Sequence, residues 1–368
     1  MDFSFTEEQE TVGKVARQLF EHRATPERLT EVESGEARFD AALWSELASS
    51  DLLGIALPEA VGGSGGSFLE LGILLAEVGR SVAPVPLYAT LVLGADTIAR
   101  QGDSALHDKY LHGVVDGSTI LTAGLSEPDN SDPTAPRTTA RRDRDVWRLD
   151  GTKLLVPAAQ LADAVVVAAG TDDGPALFVV DADADGVDVA PVRTTNGEPH
   201  ADVALAGAVG QRLGSDVGVA TVQSLYTRAL IGLCAIQVGV AERALRIAAS
   251  YTSEREQFGR PIGSFQAVQQ RMADAFIDVE AIRWTTWHAA WLVAEGRPAD
   301  RAAAIAKFWA AEAGARVTAT AQQVHGGMGI DVTYPVSRYF LWAKQIELAL
   351  GSAPQQLVRL GSTYVEGN

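Results

Sequence analysis

Two short stretches in the last third of the chain carry residue types that suit a phosphate-bearing ligand. Arg255 offers a permanent charge and a planar donor fork that matches a pyrophosphate. Phe258 can pack against an adenine ring, and Gln266 and Gln323 can donate to ribose or phosphate oxygens. A Gly-Gly pair at 326–327 lets backbone N–H groups approach a phosphate. The set predicts an anionic dinucleotide site, although singly the arginine could pair with a carboxylate and the glycines could end a helix.

The composition argues against several other classes of protein. The 368 residues include 30 Lys and Arg against 47 Asp and Glu, a net charge of −17, whereas a nucleic-acid binder or an anionic-membrane binder needs a basic face. No uninterrupted run reaches the roughly 18 apolar residues of a membrane span. Residues 1–8 are acidic where a signal peptide is basic. We therefore expect a cytoplasmic protein that binds neither nucleic acid nor membrane.

Cysteine and histidine usage argues against covalent or metal stabilisation. The single cysteine, Cys234, permits no internal disulfide, as in a reducing compartment. The six histidines show no ligand spacing, so the sequence predicts no metal site.

The elements that must hold the dinucleotide site divide the chain into three parts. Helical patterns fill residues 1–117, with a hydroxyl cap near Thr6 and helices over 41–50, 68–80 and 87–101. Residues 118–216 follow a period of two, with strands over 164–169 and 176–180 and a hairpin around Asp150-Gly151. Residues 217–368 are helical again. The predicted class is α+β and mostly α.

Two apolar series at helical spacing mark the last part. One series comprises Leu230, Cys234, Val238, Ala241 and Leu245, and the other comprises Val336, Tyr339, Ala343, Ile346 and Leu350. Each predicts a helix with one buried face.

Taken together, these features resemble the acyl-CoA dehydrogenase flavoprotein family. The residues that carry the resemblance are Tyr251 to Gln266, Gln323 to Ile330, Tyr334, Pro335 and Arg338, with Leu57-Pro58-Glu59, Gly62-Gly63, Ser126-Glu127-Pro128 and Ser131-Asp132 in support. The resemblance spans essentially the whole chain. It implies an N-terminal helical domain, a middle β-barrel or sandwich and a C-terminal four-helix bundle.

The resemblance also implies FAD, shared at a subunit interface. In the family, the last part of one chain binds the adenosine end of an FAD whose flavin ring lies on a neighbouring subunit. The implied cofactor-binding residues are Arg255, Gln257, Phe258, Ile262, Phe265, Gln266, Gln323, Gly326 and Gly327.

The middle part departs from the family pattern on the flavin side. After Gly151-Thr152-Lys153, the position of the flavin-stacking Trp is Leu155, and the position of the flavin-binding hydroxyl is Pro157, which has neither hydroxyl nor N–H. Ser126 can still replace a family threonine. The loop 128–131 is one residue short and lacks the family glycines.

The family's catalytic base is missing as well. That base is a Glu that removes a proton α to a thioester carbonyl, and it occupies one of two positions. Here these positions hold Leu350, before Gly351-Ser352, and Thr227, before Arg228. We expect Leu350 to pack in the core of its helix, and Thr227 either to contact ligand or to lie on a helix surface. Glu347, one turn before Leu350, is the candidate for a displaced base.

The chain thus lacks what a subunit gives to its own site and keeps what it gives to a neighbour. The resemblance then implies a base-less subunit of an α2β2 acyl-CoA dehydrogenase, with a homologous catalytic partner that binds the acyl-CoA, a steroid side-chain thioester by analogy. Electron-transfer flavoprotein is an expected further partner. Two alternatives stay open on the sequence alone: a homo-oligomeric dehydrogenase that uses Glu347, and a flavin-free scaffold or CoA-ester binder.

Overall fold

The computed structural model describes residues 4–215 and 218–365, which form helices at both ends and a sheet between them. The α-helices are α1 (Glu7–Arg23), α2 (Pro26–Ser34), α3 (Ala41–Ser49), α4 (Phe68–Ser81), α5 (Asp96–Gln101), α6 (Ser104–Leu106), α7 (His112–Val115), α8 (Val219–Glu254), α9 (Gln266–Ala294), α10 (Asp300–His325), α11 (Val336–Leu348) and α12 (Ala353–Val365). The strands are β1 (Leu121–Gly124), β2 (Thr139–Asp143), β3 (Val146–Pro157), β4 (Ala164–Thr171), β5 (Gly174–Asp181), β6 (Val187–Val192), β7 (His200–Arg212), β8 (Glu256–Gln257) and β9 (Arg260–Pro261).

The predicted start of the first helix is confirmed by its cap. The Gln9 N–H donates to Thr6 Oγ1 at 3.2 Å, and the Thr6 N–H donates back to Gln9 Oε1 at 3.0 Å. The helices predicted over 41–50 and 68–80 are α3 and α4, each within one residue of its expected end.

The helix predicted over 87–101 differs in kind from the expectation. Tyr88–Ala95 is a π-helix, and regular α-helix begins only at Asp96. Residues 89–95 are all buried. A stretch that is apolar on every side has no hydrophobic period, so the sequence could not specify which kind of turn it adopts.

The chain packs into two compact units, and the sheet belongs to the one we call the barrel unit (Thr30–Leu71 and Pro84–Ala229). Strand pairing runs β4–β2–β3–β7–β5 and returns to β4, which closes a barrel, and β1 and β6 attach to β4 and β7. The barrel interior is filled by alternate residues of its strands, including Leu149, Val167 and Phe178. The strands predicted over 164–169 and 176–180 are confirmed as β4 and β5.

The hairpin predicted around Asp150-Gly151 is wrong. Both residues lie inside one continuous strand, β3, and the chain turns earlier, between β2 and β3. Opposite this point β7 carries an extra residue, Gly207, at φ 66°, and its N–H donates to Asp150 Oδ1 at 2.8 Å. Gly151 is needed for close approach, because a Cβ there would lie 2.6 Å from Thr138 Oγ1. The Asp-Gly pair therefore serves a β-bulge, which a single strand's sequence does not distinguish from a turn.

The second unit, which we call the bundle unit, comprises Met1–Leu29, Gly72–Ala83 and Leu230–Asn368. Within it α10 packs against α9, α11 and α12. Helices α4 and α8 cross so closely that a Cβ on Gly79 would lie 1.9 Å from the Ile236 carbonyl oxygen, and one on Gly239 would lie 1.8 Å from that of Ala76. The predicted boundary at 117/118 stays a prediction, and the predicted boundary at 216/217 lies outside the residues that the structure describes.

The two apolar series have different outcomes. Leu230, Cys234, Val238 and Ala241 are buried on α8, as predicted, whereas Leu245, the last member of the series, is only half-buried. Val336, Tyr339, Ala343 and Ile346 are buried on α11. Leu350, the last member of the second series, lies beyond the end of α11, so its assignment to a helix face is wrong.

Helix α8 is long and apolar enough to cross a membrane by length and composition alone. Its most apolar window is 94% buried. A buried core helix passes the same test, so this feature is consistent with a soluble protein.

The bulge gives a stability prediction. Gly207→Ala should lower the free energy of unfolding by about 1 kcal/mol, because an L side chain at φ 66° is strained even though no atom lies within 4 Å of the added methyl. Urea unfolding of the two proteins measures the difference. Gly207→Asn should cost less than alanine, since asparagine tolerates left-handed backbone, and an equal loss in the two variants would contradict strain as the cause.

Candidate functional site

The arginine-containing stretch forms a short hairpin at the end of α8. Strands β8 and β9 pair Glu256 with Pro261 and Gln257 with Arg260. The two residues between them, Phe258 and Gly259, have positive φ of 54° and 76°, as a tight two-residue turn requires. The turn holds the Phe258 ring out in solvent, 94% exposed.

The predicted residues of this hairpin sit close to one another. The Phe258 ring meets that of Phe265 edge-on at 6.2 Å, and the Arg260 guanidinium lies 4.2 Å from the centre of the Phe265 ring. The Ile262 N–H donates to the Arg255 carbonyl at 2.8 Å. Gln257 donates through its amide to the Glu256 carbonyl at 2.8 Å, and Gln266 begins α9. An exposed aromatic beside exposed cations suits a planar, anionic ligand.

The glycine-containing stretch ends α10. Gln323 lies exposed in the last turn of that helix, and the Gly326 N–H closes the turn on the Gln323 carbonyl. Gly326 has φ 60° and ψ −135°, a conformation open essentially to glycine alone. A Cβ on Gly326 or Gly327 would meet no atom within 4 Å. The backbone at this turn is therefore open to an approaching group.

An aromatic stack joins these two stretches within the bundle unit. Tyr251, on α8 four residues before Arg255, stacks on the ring of His325 with centroids 4.2 Å apart. The Tyr251 hydroxyl also donates to Met328 Sδ at 3.9 Å. The structure thus brings the Arg255 hairpin and the Gly-Gly turn to one place, as a shared site requires.

Leu350 occupies a turn rather than the helix face that we expected. Its backbone is left-handed at φ 53°, and Gly351 follows at φ 102°. Two buried side chains converge on the carbonyl of Gly351, namely Lys307 at 2.9 Å and Gln356 at 3.3 Å. Helix α11 ends before this turn, so the apolar spacing in the sequence predicted a longer helix than the structure has.

Lys307 is a feature that sequence patterns did not single out. Its side chain is fully buried on α10, and Nζ also donates to the Glu347 carbonyl at 3.3 Å. Burial lowers the pKa of Lys307 to about 8, and burial raises the pKa of the nearby Cys234 thiol to about 12. The lysine satisfies carbonyls at the end of α11 and fixes the turn that carries Leu350.

Glu347 is held by its own helix. Its carboxylate forms an ion pair with Lys344, one turn earlier on α11. A general base needs a carboxylate that is free to face the substrate, and this carboxylate is engaged by an ammonium of its own helix. The geometry does not favour Glu347 as a displaced base.

Thr227 is buried, so its interpretation as a helix-surface threonine is wrong. Its hydroxyl accepts from the Gln223 side chain at 3.0 Å, within the barrel unit. The next residue, Arg228, is also buried. Its Nε lies 3.2 Å from Asp96 Oδ2, and its guanidinium stands 5.4 Å from the centre of the Phe68 ring. Burial raises the pKa of the Asp96 carboxyl, and Arg228 opposes that shift.

Leu155 and Pro157, the positions predicted to depart from the family pattern, lie close together on β3. Leu155 has left-handed backbone, φ 51°, and a side chain 50% exposed, and its N–H donates to Asp202 Oδ1 at 2.8 Å. Pro157 offers only its carbonyl, which accepts from the Thr122 hydroxyl at 2.5 Å. Ser126 bonds β3 through its backbone, since its carbonyl accepts the Leu154 N–H at 2.9 Å.

A buried ion pair supports the loop beside Ser126. Glu127 accepts hydrogen bonds from Lys153 Nζ at 2.6 Å, from the Thr138 hydroxyl at 2.6 Å and from the Arg137 N–H at 2.6 Å. Burial alone would raise the pKa of Glu127, but Lys153 and these donors lower it to about 2. Lys153 Nζ also donates to the Ala168 carbonyl at 2.7 Å, so this lysine ties the loop to β4.

Family models match almost the whole chain. The model for the acyl-CoA dehydrogenase N-terminal domain matches residues 6–118, that for the middle domain matches 122–206, and that for the C-terminal domain matches 216–361. The chain belongs to the acyl-CoA dehydrogenase family, as the sequence motifs indicated, and the helical–β–helical fold class is confirmed.

Particular relatives lie within the same family. Acyl-CoA dehydrogenase FadE27 of Mycobacterium tuberculosis is 41% identical over 378 residues, covering 100% of this chain and 99% of that protein. The structure of a variant of the Tcur3481-Tcur3483 steroid ACAD matches with 47% identity and a TM-score of 0.94, covering 98% of each chain. The ChsE4-ChsE5 complex from Mycobacterium tuberculosis matches with 41% identity and a TM-score of 0.95, covering 100% of this chain and 99% of that one.

Removing Lys153 tests the buried pair. Lys153→Met should lower the free energy of unfolding by about 3–5 kcal/mol, because it leaves the Glu127 carboxylate buried without a countercharge. The double variant Glu127→Gln/Lys153→Met should recover part of that loss. Denaturant unfolding at neutral pH measures all three proteins.

The same pair has a signed pH dependence. The folded-state pKa of Glu127 lies near 2, below its unfolded value near 4.5, so its stabilisation is present above pH 4.5 and is lost as the pH falls toward 2. Glu127→Gln should therefore lose less stability than the parent chain over this window. A steeper acid loss in Glu127→Gln would contradict the assignment.

Proposed function

We propose that this chain is a base-less subunit of a heteromeric, FAD-dependent acyl-CoA dehydrogenase. It supplies the adenosine half of an FAD site to a homologous catalytic subunit in an α2β2 assembly in the cytoplasm. Two features carry the proposal. One is an exposed adenosine-side surface formed by residues 255–266 and 323–327, which we call the cradle, and the other is that Leu350 and Thr227 occupy the two family base positions. Neither an aliphatic side chain nor a buried hydroxyl can remove an α-proton at neutral pH.

The adenosine half fits the bundle unit of this chain. Arg255 and the glycine backbone at 326–327 would hold the pyrophosphate, and Phe258 would pack against adenine. Gln257, Gln266 and Gln323 would donate to ribose or phosphate oxygens, with Ile262 and Phe265 lining the apolar side. The exposure of Phe258 and the open space above the glycines support this assignment, since the chain itself leaves both surfaces uncovered.

The flavin half does not fit the barrel unit of this chain. An exposed aliphatic residue, Leu155, stands where the family stacks an indole, and Pro157 can donate no hydrogen bond to a flavin. We therefore assign the flavin ring to the partner subunit, together with the acyl-CoA and the glutamate base. The Ser126 hydroxyl alone would not replace these contacts.

The relatives support a heteromer and a steroid substrate. One similar structure is a variant of a steroid ACAD named for Tcur3481 and Tcur3483, and another is a complex of ChsE4 and ChsE5. By this similarity we propose that the partner desaturates a steroid side-chain CoA thioester. Electron-transfer flavoprotein would then take the electrons onward.

In this scheme the chain contributes binding and orientation. When bound, FAD supplies the hydride acceptor for α,β-desaturation of the thioester. Arg255 neutralises the pyrophosphate, and the turn glycines add backbone donors that cost no reorganisation. Phe258 covers the adenine face from water. The proton at Cα goes to the partner's carboxylate, and this chain holds no group for that step.

Arg255→Ala tests the half-site directly. In the complex co-expressed with its glutamate-bearing homologous subunit, the variant should lower bound FAD at least tenfold, because an Arg–phosphate fork is among the stronger charged contacts. Flavin absorbance per heterodimer measures the loss. Arg255→Lys should bind FAD with intermediate affinity, because it keeps the charge without the fork.

Arg246→Ala provides the matched control, since Arg246 is an exposed arginine on α8, the helix before the Arg255 hairpin, and lies outside the proposed cradle. It should leave FAD binding unchanged. One FAD per chain in a homo-oligomer of this protein alone would contradict the proposal and would favour a homomeric enzyme.

Leu350→Glu restores the carboxylate at the family's base position without restoring the flavin side. We expect no acyl-CoA-dependent dye reduction from this variant alone, because Leu155 and Pro157 still leave no flavin site on this chain. Turnover by Leu350→Glu in the absence of a partner would show that the barrel unit holds a flavin. Circular dichroism and thermal unfolding serve as the control for folding.

A further inference from the structure

His325 is a buried side chain that the proposed half-site does not yet use. It is 3% exposed and lies at the end of α10, directly before the open glycines. Its ring stacks on Tyr251 at 4.2 Å, with planes 26° apart, and meets Tyr334 at 5.1 Å on an inclined plane. The imidazole therefore lies between aromatic rings that come from two other segments of the bundle unit.

The hydrogen bonding of the ring fixes its orientation. Nδ1 lies 2.6 Å from the Ala321 carbonyl oxygen, which can only accept, so Nδ1 carries the proton. Nε2 has no hydrogen-bond partner within the part of the chain that the structure describes. The ring is thus held mainly by its two faces and by one bond to its own helix.

The stack connects the two parts of the cradle. The carbonyl of Tyr251 accepts the Arg255 N–H at 2.8 Å, so the residue that contacts His325 also ends the turn that presents the arginine. On the other side, Gly326 follows His325 and has no side chain of its own to anchor it. Two later residues of the same loop contact the stack again. Met328 accepts from the Tyr251 hydroxyl, and the Tyr334 ring meets that of His325.

We propose that His325 is a positioning residue that uses its ring stack to hold the Gly326-Gly327 turn in register with Arg255 for the FAD pyrophosphate. This inference rests on the proposed function. In it, the ring stack sets the distance between the Gly326-Gly327 turn and Arg255. Glycine backbone has wide conformational freedom, so a fixed anchor beside it reduces the ordering that binding must supply. The stacking, and not the Ala321 hydrogen bond, provides that anchor.

Three substitutions separate the ring from the hydrogen bond. His325→Phe keeps an aromatic ring and loses the Nδ1 donor, His325→Asn keeps a donor for Ala321 and loses the ring, and His325→Ala loses both. Each aromatic contact corresponds to about a two- to tenfold change in an equilibrium. We expect the FAD dissociation constant of the co-expressed heteromer to rise about tenfold or more in the Ala and Asn variants and to stay within about threefold in the Phe variant.

FAD titration of the reconstituted heteromer, followed by flavin fluorescence, measures these constants, and size-exclusion chromatography checks that each variant assembles. His288→Ala is the control for loss of a stacked histidine, because His288 stacks on Trp291 on α9, outside the cradle. It should leave the dissociation constant unchanged. Rescue by phenylalanine with normal assembly distinguishes positioning from a general structural defect.

Several outcomes would overturn the inference. An unchanged constant in His325→Ala, or a Phe variant as weak as the Asn variant, would remove the role of the stack. If His325→Ala does not assemble, the FAD dissociation constants of His325→Phe and His325→Asn still test the inference, because only the Phe variant keeps the ring. When Arg255→Ala loses FAD but the His325 variants do not, only the inference fails, whereas unchanged binding in Arg255→Ala shows that the proposed function itself has failed.

Discussion

The bundle unit depends on one close backbone contact, the crossing of α4 and α8. At Gly79 and Gly239 there is no room for even a methyl group, because a Cβ would lie within 2 Å of a carbonyl oxygen of the facing helix. The crossing is flanked by ion pairs that link Arg80 to Glu77 and to Glu242. Helices that approach at backbone distance cannot slide or rotate freely, so the direction of α8 is fixed from the crossing onward.

That constraint has its effect at the far end of α8. A helix rises about 1.5 Å per residue, so Gly239 lies roughly 22 Å along the axis from Glu254, the last residue of α8 and the neighbour of Arg255. A rigid helix therefore carries the orientation set at the crossing to the hairpin that presents the arginine. The stack of Tyr251 on His325 then fixes the position of the end of α10 relative to the same helix. The cradle is in this sense a consequence of helix packing, and only its last few side chains would contact a ligand.

Sequence patterns predicted the parts of this molecule that local order determines. The cap at Thr6 and the buried series on α8 could be predicted because both depend on residues a few positions apart. The Asp150-Gly151 pair was misassigned because its partner, the extra glycine of β7, lies more than fifty residues away. Lys307 was not identified for the same reason, since its acceptors are carbonyls of a distant turn. The cradle residues could be identified because family motifs keep them contiguous, but the stack that joins them is a tertiary feature.

At Leu155 and Leu350 the backbone conformation is set by neighbouring residues and not by the side chain that each position carries. Leu155 and Leu350 both have left-handed backbone, which an aliphatic residue adopts only at a cost of about 1–2 kcal/mol. Nothing in their own side chains requires it. The surrounding structure does, because the Asp202 carboxylate holds the N–H of Leu155, and Lys307 and Gln356 hold the carbonyl that follows Leu350. A fold whose helix ends and turns are fixed by buried partners tolerates a change of side chain at such a turn without losing the turn itself. On the proposed function, the same rigidity would let the chain present a half-site to a neighbouring subunit.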